Sequence, residues 1–118
     1  MTASNHPTDV GELIPTLLDW VDTDEVAPET VDNAFSLLAD RRRRLTLEVL
    51  RTYEQSLTLP DVAEEVAKRE TGRAIVEITP ETVTEIYISL YHDHIPRLAE
   101  VGLLEYEQER DLVTPGAI

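Results

Sequence analysis

The chain has 118 residues, which suits one domain with its own core, and it has no cysteine, so disulfides, thiolate metal sites and cysteine catalysis are excluded. No apolar run approaches the roughly 20 residues that span a bilayer, and the first residues lack the basic start and apolar stretch of a signal peptide, so a cytoplasmic protein with no membrane contact is expected. Twenty-four acidic residues against ten basic ones give a net charge of −14.

The first helix is predicted over residues 10–21. Leu13, Ile14, Leu17, Leu18 and Val21 recur at helical spacing, Asp9 and Glu12 make a capping-box-like start, Pro15 falls in the first turns and Trp20 lies on the flank. Residues 1–30 carry seven acids and no base, and Ala27-Pro28-Glu29 reads as a linker, so 1–30 is taken as an acidic extension and 31–118 as the folded domain. Val31, Ala34, Phe35 and Leu38 form the stripe of a second helix. Asp40 is the expected N-cap of a third, with Thr46, Leu47, Leu50 and Tyr53 facing inward, until Gln55-Ser56 breaks the pattern.

Leu57-Thr58-Leu59 reads as a brief extended piece. Pro60 opens a helix that buries Val62, Ala63, Val66 and Ala67 and stops at Gly72. Residues 73–79 fit either an extended piece or a long turn. From Thr79-Pro80-Glu81-Thr82 the longest helix starts, with Val83, Ile86, Tyr87, Leu90, His94, Leu98 and Val101 inward, a kink expected at Pro96 and a stop at Gly102. Leu103–Tyr106 and Leu112–Thr114 read as two strands joined by a polar tip, Glu107 to Asp111.

The residues themselves carry a resemblance. The run from Phe35 through Asp40-Arg41-Arg42-Arg43-Arg44 to Leu50 resembles the opening of ArsR-type winged helices. Leu59-Pro60-Asp61-Val62-Ala63-Glu64-Glu65-Val66-Ala67 is similar to the first helix of their helix-turn-helix, and Ser89-Leu90-Tyr91-His92 through Gly102-Leu103-Leu104 to the end of their recognition helix. Four arginines, together with Ser-Leu-Tyr-His before an internal proline, resemble a group of haloarchaeal winged-helix domains over roughly residues 31–114. The resemblance implies a mainly α (α+β) winged helix-turn-helix fold, with a two- or three-stranded wing sheet and an N-terminal extra helix. It implies a DNA-binding transcription regulator of a halophilic archaeon, acting on double-stranded DNA as a homodimer.

Composition fits such a salt habitat; the alternative is an acidic mesophilic protein that binds a basic partner. Nine of the ten bases are Arg and only Lys68 is Lys. An acidic, lysine-poor surface stays hydrated in molar salt, where the Debye length is about 3 Å. Phosphate contacts supply most of the affinity for DNA, so −14 opposes binding at ordinary ionic strength; brine screens that repulsion.

Candidate DNA contacts are Arg41, Arg42, Arg43 and Arg44 as the one basic cluster, Thr82, Thr84, Ser89 and His92 on the outer face of the long helix, and Arg110 at the hairpin tip. Against phosphate contact, the arginines could instead pair locally, as Asp40–Arg44 and Arg44–Glu48, and cover the core with their stems. Candidate dimer contacts are Leu13, Leu17 and Trp20 on the first helix, and Ile88, Tyr91 and Ile95 as a second stripe on the long helix. Residues 9–22 also fit an acidic-hydrophobic segment that docks in a partner protein's groove. His92 and His94 point about 200° apart on a helix and cannot jointly hold a metal; no metal, cofactor or catalytic constellation is expected. Glu77, Glu81 and Glu85 near the start of the long helix, and the long 71–79 connection, support an alternative: a winged-helix protein–protein interaction module without direct DNA readout.

Overall fold

The computed structural model describes residues 9–24 and 26–118. The chain divides into two compact units between Phe35 and Ser36. The first holds α1, Val10–Asp24, and most of α2, Pro28–Ala39. Asp9 caps α1 by accepting the Glu12 amide at 2.8 Å. The helix runs three residues beyond the predicted end, and no residue of α2 is buried.

The second unit, Ser36–Ile118, holds the core. Its helices are α3 (Arg41–Tyr53), α4 (Leu59–Thr71), α5 (Pro80–Ser89) and α6 (Ile95–Glu100). Its strands are β1 (Leu57–Thr58), β2 (Leu104–Glu107) and β3 (Leu112–Pro115), which form an antiparallel sheet in the order β1-β3-β2. The register sets Leu57 opposite Val113 on one side and Tyr106 opposite Val113 on the other. The fold is therefore mainly α with a small three-stranded sheet.

Local chemistry sets the element ends. Asp40, Thr58 and Thr79 cap α3, α4 and α5 by accepting the amides of Arg43, Asp61 and Thr82. Gly72 ends α4 at φ +71°. Gly102 ends α6 at φ +82°, where its amide bonds Ala99 O and the Leu103 amide bonds Leu98 O. That bond pair is a Schellman motif, with Leu103 at its apolar position. Residues 73–79 resolve as a connection around a 3₁₀ turn, Ile75–Glu77.

The long helix departs from expectation. Between α5 and α6 lies one π turn, Leu90–His94, in which the Ile95 amide bonds Leu90 O. Pro96 cannot donate, and its ring presses on the carbonyls of the preceding turn; widening that turn accommodates it. The extra residue shifts the helical phase. Ile95, expected on an exposed dimer stripe, is only 1% exposed and sits in the core, so it offers no surface to a partner. Val101, expected inward, is 53% exposed. Tyr53, also expected inward, is exposed and donates to Glu65.

The core joins Leu45, Leu47, Val49 and Leu50 of α3, Leu59, Val62, Ala63, Val66 and Ala67 of α4, and Ile86, Leu90, Ile95 and Leu98 of the long helical segment. Leu104 and Val113 close it from the sheet. Among the described residues no helix is long and apolar enough to cross a membrane.

Candidate functional site

The four arginines at the start of α3 do different things. Arg42 is 20% exposed and forms a two-pronged pair with Glu70 of α4, Nε to Oε2 at 2.8 Å and Nη2 to Oε1 at 2.5 Å. Its remaining nitrogen donates to Ser89 Oγ on α5 at 2.9 Å, with Glu85 at 4.0 Å. One guanidinium thus ties three helices together. The pair holds the Glu70 carboxyl below its ordinary range, because Arg42 donates to the charged form.

Arg43 and Arg44 turn back to α2, donating to Ser36 O at 3.3 Å and Leu38 O at 2.5 Å. They occupy unpaired carbonyls at that helix's end, where cations also suit the dipole. Arg44 takes this role in place of Asp40 or Glu48, since Glu48 instead meets Arg69 at 2.8 Å. Arg41 remains exposed.

On α5, Thr84 and Ile88 are exposed, and with Pro80 they line a shallow trough flanked by Glu81 and Glu85. Thr82 Oγ1 is 2.9 Å from Thr79 Oγ1 at the helix cap. Ser89 is spent internally, accepting from Arg42 and donating to Ile86 O. His92 is exposed and meets the Tyr91 ring edge-on, centroids 4.9 Å apart. Arg110, at the hairpin tip, is held by Glu107 through two bonds of 2.9 and 2.7 Å on an exposed surface.

Sequence reasoning missed what fixes the hairpin. Asp111 stands at φ +51° and takes hydrogen bonds from Tyr87 Oη of α5, at 2.6 Å, and from Tyr106 Oη of β2. The bond to Asp111 pushes the Tyr87 phenol up to about 12. Burial, then the same carboxylate, raises Tyr106 as well. Tyr91 stacks along Tyr87, meets Tyr106 edge-on and accepts from Gln108. One carboxylate thereby locks the β2–β3 hairpin onto the long helix. The aromatics were visible in the sequence as helix and strand residues; their common partner was not.

His94 is 5% exposed, and its Nδ1 makes no hydrogen bond. Asp93 and Asp40 carboxylates stand 3.7 and 3.9 Å from its two nitrogens. Burial nevertheless dominates and lowers its pKa. Among the described residues no group of three or more acids and histidines could hold a metal.

Of the remaining dimer candidates, Leu13 and Trp20 are 42% and 60% exposed, Ile88 is 50% exposed, and Leu17 and Tyr91 are half-buried.

These features define a small, mainly α domain whose β2–β3 hairpin is clamped to its long helix. Residues 35–114, more than half of the chain, match the family model described as Domain of unknown function (DUF7344), and the chain belongs to that family. No curated protein and no solved structure matches it.

Proposed function

We propose that residues 36–118 are a winged-helix domain and that the protein is a DNA-binding transcription regulator, homodimeric and non-catalytic, in the cytoplasm of a halophilic archaeon. The element order supports the winged-helix reading: α3, β1, α4, α5 with α6, then the β2–β3 hairpin as wing. The observation that carries the function is the Asp111 clamp. It makes the long helix and the hairpin one rigid body, so a helix entering the major groove brings its wing to the flank in fixed register.

The contact set is smaller than the sequence promised. Arg42 and Ser89 are occupied within the protein, and Arg43 and Arg44 are tied to α2. Arg41, Thr82, Thr84 and His92 remain, with Arg110 available only by releasing Glu107. Few phosphates are then neutralised, and binding rests on short-range contacts, which suits molar salt. A mobility-shift assay in molar KCl on the protein's own promoter region tests this. Retardation that weakens in Thr84→Glu supports it; unaltered migration at micromolar protein rejects it.

One observation favours a second reading. The trough of Pro80, Thr84 and Ile88 between Glu81 and Glu85 suits a protein better than a phosphate backbone. In that reading the domain is a protein–protein interaction module. Recovery of one stoichiometric partner after nuclease treatment, lost in Ile88→Asp, distinguishes it from DNA binding.

A further inference from the structure

A groove of about 650 Å³ runs along the outer side of α3, lined by Leu38, Leu47, Thr52 and Ile118 and flanked by Arg44 and Arg51. Leu38 and Ile118 are each 42% exposed. Its lining side chains are net positive, opposite in sign to the molecule. Arg44 keeps one nitrogen on Leu38 O, but among the described residues no ion pair joins its charge or that of Arg51 to a carboxylate, and the acidic side chain in the wall, Glu48, is engaged by Arg69. A basic apolar groove on a chain of charge −14 fits an amphipathic helix with acids beside its apolar stripe.

The chain contains such a helix. α1 carries Leu13, Ile14, Leu17, Leu18 and Val21 at helical spacing, with Glu12, Asp19 and Asp22 and no base. In the single chain Leu13, Ile14, Leu18 and Trp20 remain 42–60% exposed. Fifteen residues make a rod about 22 Å long. We propose that the α3 groove receives α1 of a second copy of this chain. Each copy gives one helix and accepts one, so the contact is twofold symmetric and closes at a dimer. The inference rests on the homodimer of the proposed function and assigns its surface; it is independent of DNA.

Sedimentation of the full chain in molar KCl tests it without DNA, so its failure is separate from failure of DNA binding. The wild type is expected to be a dimer. Arg44→Glu/Arg51→Glu and, separately, Glu12→Arg/Asp19→Arg/Asp22→Arg are each expected to raise the dissociation constant about tenfold or more, with the helical circular dichroism retained. An equimolar mixture of the two variants restores the dimer, because each groove then meets a helix of opposite charge. Leu38→Asp removes an apolar contact, which salt does not screen, and is expected to weaken dimerisation as well. A monomeric wild type, or variants that dimerise like the wild type, would overturn the proposal.

Discussion

Arg42 and His94 show how single residues depend on partners far along the chain. Arg42 lies 28 residues from Glu70 and 47 from Ser89, and the pair is mostly shielded from water. Removing one partner leaves a partly buried carboxylate unpaired, so Arg42→Ala is expected to cost about 2 kcal/mol in a denaturant titration. Arg42→Lys, which keeps the charge and loses the fork, recovers only part of it. Because the folded-state pKa of Glu70 is depressed, its contribution is present above the ordinary glutamate pKa and is lost as pH falls through the folded value. Stability should therefore decline in acid, and Arg42→Ala should decline less. His94 is depressed too, for the different reason of burial. The unfolded chain binds its proton first, so acidification below the ordinary histidine pKa weakens the fold. His94→Leu is expected to flatten melting temperature against pH in that window. A wild-type curve with no slope there would contradict the burial account. None of these pairings could be read from the sequence, which displays i to i+4 neighbours and not partners brought together by tertiary packing. Local spacing alone pointed to Arg44–Glu48, whereas Arg44 reaches Leu38 O and Glu48 reaches Arg69.

At the scale of elements the sequence was most legible where the controlling chemistry is local. Asp9, Asp40, Thr79 and Gly102 act where the caps and stops were read, because an N-cap needs only a side chain and an amide two or three residues away, and a glycine stop needs only its own left-handed backbone. The π turn was not legible. Pro96 announced a disturbance, but not that one extra residue would shift the phase, bringing Ile95 into the core and leaving Val101 outside. Two positions, one a glutamate and one a glycine, separate backbone conformation from space. Glu54 ends α3 in the left-handed region at φ +54°, which a glycine adopts without a Cβ penalty, so Glu54→Gly should stabilise by about 0.5–1 kcal/mol. At Gly116, an added Cβ would lie 2.9 Å from the Leu103 carbonyl carbon and closer still to Gly102 O. Backbone cannot swing aside as a side chain can, and Gly116→Ala is expected to cost about 1–3 kcal/mol; thermal melts check both. The hairpin clamp belongs to this scale as well. Tyr106→Phe should cost about 1–2 kcal/mol and speed amide exchange in residues 104–115, while Tyr53→Phe, at an exposed bond, leaves exchange there unchanged.

Across the whole molecule, charge decides how a DNA contact could work. The chain keeps its net −14 while placing its bases inside its own architecture: Arg42 on Glu70, Arg69 on Glu48, Arg97 on Asp93 and Arg110 on Glu107. A protein that makes six or more phosphate contacts loses affinity with log salt at a slope of roughly −5 or steeper, about −0.9 per phosphate. The side chains still open on the proposed DNA face supply far fewer. The most direct test is fluorescence anisotropy of a labelled promoter duplex, titrated with the full chain across a series of KCl concentrations up to several molar. The account predicts binding that persists in molar KCl with a slope shallower than about −3. Absence of binding throughout the series, or a slope of roughly −5 or steeper, would contradict it.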